Sequence, residues 1–156
     1  MMSETTKVVA PDTFKPSLED IPEVNKGEYL PAGLDDLRMN MPLSEFLATV
    51  HGQHGTHEDK GFRETVTTSY DDTEFSSVTF YFDSKGSKPL YEFIIEYPEA
   101  FDLSSYVAER YGAPTHEGEW RFRDHKDYYI MIWTVPFANR LIIAANIDGT
   151  EHQHRK

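Results

Sequence analysis

A ten-residue segment recurs in this chain at an offset of sixty residues. Residues 43–52 read LSEFLATVHG and align without gaps with residues 103–112, which read LSSYVAERYG. Each copy is followed by sequence rich in aromatic residues, which is typical of β-strands. The recurrence therefore predicts one structural unit, a helix followed by hairpins, that the chain uses twice.

Both copies have the features of a helix with one buried face. The first helix is predicted over residues 42–51, where apolar residues recur three or four positions apart and Gly52 can adopt the left-handed conformation that ends a helix. In the second copy Asp102 can cap the first backbone N–H groups, Gly112 can end the helix and Pro114 prevents its continuation. We therefore expect two short amphipathic helices.

Apolar runs bounded by turn-forming residues predict three strands after each helix. The six predicted strands cover residues 62–70, 75–82, 90–97, 120–123, 128–135 and 140–147. The expected fold class is α+β, with two helix-plus-three-strand repeats that form an antiparallel sheet of about six strands and two helices packed on one face. Residues 128–133 are apolar on both sides, which favours a central strand whose second side is covered by the N-terminal residues or by a partner.

Composition divides the chain into an arm, one domain and a tail. Residues 1–33 carry prolines at positions 11, 16, 22 and 31, and this pattern interrupts both helical and sheet hydrogen bonding. We predict an extended, Pro-rich N-terminal arm there. Residues 34–148 are predicted to form a single α+β domain of two repeats, 34–98 and 99–148, and residues 149–156 a polar tail.

Four apolar residues of the predicted arm are spaced as on one side of a helix. They are Phe14, Leu18, Ile21 and Val24. Two interpretations remain open at this point: the arm is a strap packed on its own domain, or it is a segment that becomes ordered on a partner.

The balance of charges limits the classes of partner. The chain has 15 basic and 27 acidic residues and a formal net charge of −12, which repels nucleic-acid phosphates and anionic membrane surfaces. We expect no nucleic-acid partner, and no membrane insertion because no segment reaches the ~20 apolar residues of a membrane span. An acidic surface favours fast association with a basic protein.

The chain contains no cysteine, which excludes disulfides, thiol catalysis and thiolate metal sites. The first residues lack the basic region and apolar run of an export leader. A cytoplasmic location is therefore expected.

The order of elements resembles the fold shared by β-lactamase-inhibitor proteins and the small outer-membrane assembly lipoproteins of the SmpA/OmlA (BamE-like) type. The matching features are residues 37–46, LRMNMPLSEF, and residues 111–114, YGAP, and the overlap covers residues 34–147. The resemblance implies a small α+β fold that binds other proteins and has no catalytic role. This chain lacks the cysteines of those families, so neither their compartment nor their partners carry over.

Three histidines provide a candidate metal site. His51, His54 and His57 are spaced by three and are followed by Glu58 and Asp59, and imidazole with carboxylate suits Zn²⁺ or Ni²⁺. A flexible turn could wrap these ligands around a metal ion. The alternative is structural, because the recurrence aligns His51 with a position that packs in the second copy.

A pair of arginines provides a candidate anion site. Arg121 and Arg123 alternate on one side of a predicted strand, where two guanidinium groups could hold a carboxylate or phosphate. Cross-strand pairing with acidic residues such as Glu64, Glu92 or Glu96 explains them equally well.

Sequence templates for catalysis are absent: the chain has no Gly-x-Ser-x-Gly elbow, no phosphate-binding loop and no HExxH motif. We predict a non-catalytic protein-binding domain without a cofactor, acting as an accessory subunit of a complex or as an inhibitor or immunity-type antagonist. The alternative is a small-ligand or metal-binding protein, which includes an enzyme, that uses the His51–His57 turn or the arginine pair. The candidate partner-binding residues are Phe14, Leu18, Ile21, Val24, Arg121, Arg123 and Trp133.

Overall fold

The computed structural model describes residues 28–123 and 125–153, which form an α+β fold with three α-helices and one antiparallel sheet of seven strands. The helices are α1 (Leu43–Leu47), α2 (Val50–Gln53) and α3 (Leu103–Tyr111). The strands are β1 (Thr56–Asp59), β2 (Arg63–Ser69), β3 (Ser77–Asp83), β4 (Leu90–Glu96), β5 (Trp120–Arg123), β6 (Tyr129–Val135) and β7 (Arg140–Ala145). The predicted fold class is confirmed, and the predicted strand number of six is corrected to seven.

The strand order is β1-β2-β3-β4-β7-β6-β5, and every neighbouring pair is antiparallel. Strands β1 to β4 form one meander and β5 to β7 form a second. The two meanders meet at the centre of the sheet, where β4 pairs with β7 from Glu92↔Ala144 to Glu96↔Arg140. Helix α3 lies in the connection from central β4 to the outermost strand, β5.

One side of the sheet, which we call the helix face, carries the main core. A row of cross-strand neighbours runs through six strands on this face: Val66, Phe80, Phe93, Ile143, Ile132 and Trp120. All six are buried together with residues of α1 and α3, such as Phe46, Leu103 and Val107. The helices thus supply the second layer that an antiparallel sheet needs to bury its apolar side.

Helix α3 begins and ends where its sequence predicts. The Asp102 carboxylate accepts a hydrogen bond from the Ser105 backbone N–H at 3.1 Å, which satisfies one of the free donors of the first turn. Gly112 follows the helix with a φ of 77°, a left-handed conformation that glycine adopts without steric cost.

The first predicted helix is interrupted, and this corrects the prediction over residues 42–51. The chain leaves α1 at Ala48, and the Thr49 hydroxyl then caps α2 by accepting from the Gly52 backbone N–H. Gly52 lies inside α2 and does not end a helix. A β-carbon there would lie 2.5 Å from the carbonyl oxygen of Phe46, so the glycine permits the close approach of α2 to α1.

The additional strand, β1, forms where the sequence indicated a flexible turn. All four of its residues are exposed, and it pairs with β2 through His57↔Val66 at the edge of the sheet. The strand lacks the apolar alternation on which the prediction depended. Charged side chains on an exposed edge strand are a common protection against pairing with other chains.

The described end of the predicted arm belongs to the domain. Tyr29 and Leu30 are 1% and 0% exposed, and the Tyr111 hydroxyl donates to the Tyr29 carbonyl oxygen at 2.6 Å. The Arg110 guanidinium also donates to the carbonyl oxygen of Leu30. The core therefore begins before residue 34, and helix α3 anchors this entry segment.

None of the helices in residues 28–123 and 125–153 combines the length and the apolar character that crossing a membrane requires.

Candidate functional site

The second side of the sheet, which we call the open face, is not covered by the helices. One row of cross-strand neighbours on it contains Thr67, Thr79, Ile94, Ile142 and Trp133. A parallel row contains Tyr81, Glu92, Ala144, Met131 and Arg121. Tyr129, Met131 and Ala144 form a small buried cluster there, with Trp133 packed against it. The open face is therefore mixed, with an apolar end at β6 and β7 and a polar end at β2 and β3.

Residues 146–153, which we call the C-terminal segment, follow β7; Ile147 joins the main core, and His152 packs on the open face. Thr150 and His152 are only 4% and 8% exposed. The His152 ring lies 5.8 Å from the ring of Tyr91 and 6.3 Å from that of Trp133, both edge-on. The prediction of a polar tail over residues 149–156 is thus corrected for its described part, which is fastened to the sheet.

The C-terminal segment forms a hydrogen bond with a buried carboxylate. Glu92, on central β4, is 6% exposed, and the His152 imidazole Nε2 donates to its Oε1 at 2.7 Å. The neighbouring Glu151 accepts a hydrogen bond of 2.5 Å from the Tyr91 hydroxyl. Burial, and then this hydrogen bond to Glu151, raises the pKa of the Tyr91 hydroxyl well above its usual range.

The side chains of Glu92, Glu151 and His152 each place a possible ligand atom within 4.8 Å of the other two. Within the described part of the chain, this is the one group of three histidine or carboxylate side chains with such a spacing. Imidazole nitrogen together with carboxylate oxygen is a donor set that binds Zn²⁺ and other first-row divalent ions.

A second candidate site is the turn between β6 and β7, residues 136–139, which we call the Phe137 tip. Pro136–Ala138 form a single turn of 3₁₀ helix, and Asn139 has a φ of 52° in the left-handed region. The Asn139 amide Nδ2 donates to the carbonyl oxygens of Pro98 and Phe101 at 2.7 and 3.1 Å. The tip is therefore fixed to the neighbouring loop from within, and it presents Phe137 with 94% of its surface exposed.

A hollow of about 150 Å³ lies beside the tip. It is lined by Phe101, Asp102, Leu103, Ser104, Thr134, Pro136 and Asn139. Hydrogen bonds from the Ser105 backbone N–H and hydroxyl lower the pKa of Asp102, so its carboxylate stays charged at neutral pH. With the exposed Glu99 nearby in the chain, this gives the surroundings of the tip a negative charge.

The structure does not bring His51, His54 and His57 together as a metal site. The His51 ring is 5% exposed and is already engaged on both nitrogens. It accepts at Nδ1 from the Tyr70 hydroxyl at 2.8 Å and donates from Nε2 to the Asp36 carboxylate at 3.0 Å. His51 is thus a packed residue, like its counterpart in the second copy.

His54 is exposed and His57 lies on β1, where its Nε2 donates to Glu64 at 2.7 Å. His57 is paired with Val66 on β2, and the three histidines do not form a group with metal-ligand spacing within the described residues. The regular spacing in the sequence is therefore not matched by a common site in the structure.

An ion pair between an exposed lysine and a buried carboxylate lies at the same edge of the sheet. Glu64 is 5% exposed and accepts from the Lys88 ammonium group at 2.6 Å. The hydrogen bond from Lys88, followed by that from His57, lowers the pKa of the Glu64 carboxyl group. A carboxyl group whose pKa is lower in the folded chain than in the unfolded chain stabilises the fold at pH values above its unfolded pKa. This contribution disappears as the pH falls through the folded pKa.

Glu64→Gln is therefore expected to lower the free energy of unfolding by about 1 to 2 kcal/mol at pH 7. The difference from the original chain should shrink as the pH falls below the unfolded pKa of about 4.3 and then through the lower folded pKa of Glu64. Urea unfolding at pH 7 and pH 3 measures both values. Glu58→Gln is the matched control, because the Glu58–Lys60 pair is exposed; an equal loss at both pH values would contradict the argument.

The arginine pair lies on the open face, as the strand alternation predicts, but Arg121 is engaged in internal contacts. It is 7% exposed and donates to the Tyr129 hydroxyl at 3.2 Å and to the Glu119 carboxylate at 3.1 Å. The ion-pair alternative thus accounts for Arg121, with Glu119 in place of the acidic residues expected from the sequence. Arg123 is half-buried on the same side.

Of the remaining predicted partner-binding residues, Trp133 lies half-buried on the open face beside His152. The four apolar residues of the predicted arm lie outside the described residues; they are Phe14, Leu18, Ile21 and Val24.

Two features of the structure do not follow from the candidate residues of the sequence. The Glu92–His152 contact joins residues sixty positions apart. No pattern within a short stretch of sequence predicts a contact of that range. The Phe137 tip did leave a signal, because a phenylalanine occupies a turn between two strands, where polar residues are usual. That position makes Phe137 a candidate contact residue.

Comparison of this chain with protein-family models, with curated proteins and with solved structures gave no match, so the functional argument depends on its own residues.

Proposed function

We propose that this chain is a non-catalytic protein-binding domain whose Phe137 tip inserts into an apolar pocket with a basic rim on another protein. The observation that carries the proposal is the 94% exposure of Phe137 on a turn that is held rigid by the domain. An exposed aromatic ring on a fixed support is the arrangement typical of an interface anchor.

The rigidity of the tip supports binding because ordering a loop opposes association. Immobilising a flexible side chain or loop costs about 0.5 to 1.5 kcal/mol per side chain. The Phe137 tip avoids much of this cost, since Asn139 and Pro136 already fix its backbone. Burying the phenylalanine ring then contributes about 1.5 to 3 kcal/mol.

The negative charge around the Phe137 tip supports a partner with a basic surface. Asp102 lines the hollow beside the tip, Glu99 is exposed nearby, and the whole chain has a net charge of −12. A partner with lysine or arginine around its apolar pocket would be attracted over a distance of about 8 Å at physiological salt. A partner with an acidic rim would be repelled.

The proposal includes the two-repeat architecture expected from the sequence. Both copies of the recurring segment are helical and contribute to the core of the helix face, and the strand order places β2-β3-β4 opposite β7-β6-β5 about the centre of the sheet. The broken first helix and the added strand β1 are differences between the halves. This arrangement agrees with the resemblance to β-lactamase-inhibitor and SmpA/OmlA proteins, from which an inhibitor or an accessory-subunit role is proposed.

The test is affinity capture from the native source with the full chain as bait, compared with Phe137→Ala. We expect a partner that the original chain captures and that Phe137→Ala loses, with at least about a thirtyfold weaker affinity once the purified partner is measured. Phe62→Ala is the matched control: Phe62 is also exposed, at 67%, but lies in the β1–β2 turn at the opposite end of the sheet. A partner lost by Phe62→Ala and retained by Phe137→Ala would contradict the proposal, as would the absence of any partner.

Ionic strength distinguishes the two proposed roles. An antagonist of a basic partner should lose affinity steeply between low and high salt, because its charges control association. An accessory subunit that binds its partner through its N-terminal residues should depend less on salt and should lose affinity when residues 1–27 are removed.

A further inference from the structure

We propose that Glu92, Glu151 and His152 form a binding site for one Zn²⁺ ion, located where the C-terminal segment is fastened to the open face. This site is separate from the Phe137 tip, and the inference does not depend on the proposed protein-binding function.

The geometry of the three side chains is close to that of a zinc site. Zinc binds imidazole nitrogen and carboxylate oxygen at about 2.0 to 2.2 Å, so two ligand atoms of a tetrahedral site lie about 3.4 Å apart. The ligand atoms of Glu92, Glu151 and His152 lie within 4.8 Å of one another, and His152 Nε2 is 2.7 Å from Glu92 Oε1. Small side-chain rotations, together with transfer of the His152 Nε2 proton to Nδ1, place the three around one ion.

The two carboxylates also favour a cation on electrostatic grounds. Glu92 is buried in the centre of the sheet, where an ionised carboxylate without a positive partner is costly. The oxygens of Glu92 and Glu151 lie close enough to repel each other. The Arg63 guanidinium approaches Glu151 at 3.4 Å and offsets one negative charge, which leaves a net charge of about −1 for a divalent ion to neutralise.

The donor set selects the class of metal. Mg²⁺ and Ca²⁺ prefer ligand sets made entirely of oxygen, whereas an imidazole with two carboxylates suits Zn²⁺. Three protein ligands leave the fourth position of a tetrahedral ion for water.

Surrounding residues orient the proposed ligands. The Tyr91 hydroxyl donates to Glu151 Oε1, and the rings of Tyr91 and Trp133 flank the His152 imidazole. Such outer contacts fix the direction of metal ligands, and their removal typically weakens metal affinity by about 10 to 100 times.

The same contacts have a simpler interpretation, in which His152 and Glu92 form an ion pair that fastens the segment without a metal. Calorimetric titration of the metal-free full chain with ZnCl₂ decides between them. We expect one Zn²⁺ per chain, and at least tenfold weaker binding by His152→Ala and by Glu151→Gln. The absence of zinc binding by the original chain, or unchanged binding by both variants, would overturn the proposal.

His54→Ala is the matched control, because it removes an exposed imidazole from the turn that the sequence first indicated as a metal site. Unchanged zinc binding by His54→Ala supports the Glu92 site. Loss of zinc binding by this variant would assign the metal to the turn after α2 and contradict the proposal. Tyr91→Phe should weaken binding by about ten times without removing a ligand.

Folding of each variant is checked by circular dichroism. Glu151→Gln keeps the test decisive if His152→Ala does not fold, because the Glu151 side chain is 41% exposed. Visible absorption after Co²⁺ addition provides a second measurement: a tetrahedral spectrum in the original chain that is absent from Glu151→Gln supports the site, and identical spectra contradict it.

Discussion

Replacing Phe80 with alanine should lower the free energy of unfolding by about 4 kcal/mol. Phe80 is fully buried at the centre of the helix face, with ring centroids 4.6 Å from Phe46 and 5.5 Å from Phe93. The surrounding β-strands cannot close around the missing ring, so the substitution loses the burial of the ring and leaves a cavity. Urea unfolding followed by far-UV circular dichroism measures the change.

Phe137→Ala makes the same chemical deletion at the surface and is the natural control. Because Phe137 is 94% exposed, its loss should change the free energy of unfolding by less than about 0.5 kcal/mol. The pair of variants thus separates stability from binding: Phe80 supports the fold, whereas Phe137 is expected to serve the partner. Similar unfolding midpoints for the two variants would contradict this division.

Removing residues 149–156 should destabilise the domain by about 3 kcal/mol in metal-free buffer. The truncation uncovers the part of the open face that the C-terminal segment protects. It also leaves the buried Glu92 carboxylate without His152, which donates its 2.7 Å hydrogen bond. A buried carboxylate that loses its partner must be desolvated without compensation or take up a proton.

Glu92→Gln in the truncated chain provides the control. If the unpaired charge causes the loss, the neutral side chain should recover about half of it, because glutamine removes the charge while keeping nearly the same volume. Thermal and urea unfolding of the full chain, the truncated chain and the truncated Glu92→Gln variant measure this. An unchanged unfolding midpoint after truncation would show that the segment contributes no stability.

Local signals in the sequence were sufficient for helix α3 and for six of the strands. Asp102 and Gly112 act through contacts within a few residues of the helix, so their effect can be recognised without knowledge of the rest of the fold. Strand β3 likewise shows its environment in its alternation, since every second side chain, from Val78 to Phe82, points to the buried helix face.

The errors occurred where tertiary contacts override local pattern. Gly52 has the position of a helix-ending glycine in the recurring segment, but its role is to let α2 approach the Phe46 carbonyl oxygen. Strand β1 is defined by pairing with β2 and carries no apolar alternation of its own. Neither feature can be read from a short window of sequence.

The candidate sites were predicted less well than the fold. The regular spacing of His51, His54 and His57 indicated a metal site, yet the folded chain engages His51 with Tyr70 and Asp36 and engages His57 with Glu64. The Glu92 site depends on a C-terminal segment that composition alone described as polar and that folding brings back across the sheet. Long-range proximity of this kind requires the topology to be known first.

The meeting of the two meanders at β4 and β7 has a consequence for the order of folding. Paired residues in this ladder, such as Glu96 with Arg140 and Glu92 with Ala144, are 44 and 52 positions apart in the chain (140 − 96 and 144 − 92). Hairpins within each half need only short loops and form in about 1 to 10 μs, whereas the central ladder must first close a much longer loop. The slowest step in acquiring this structure should therefore be the joining of two largely formed halves along a single seam.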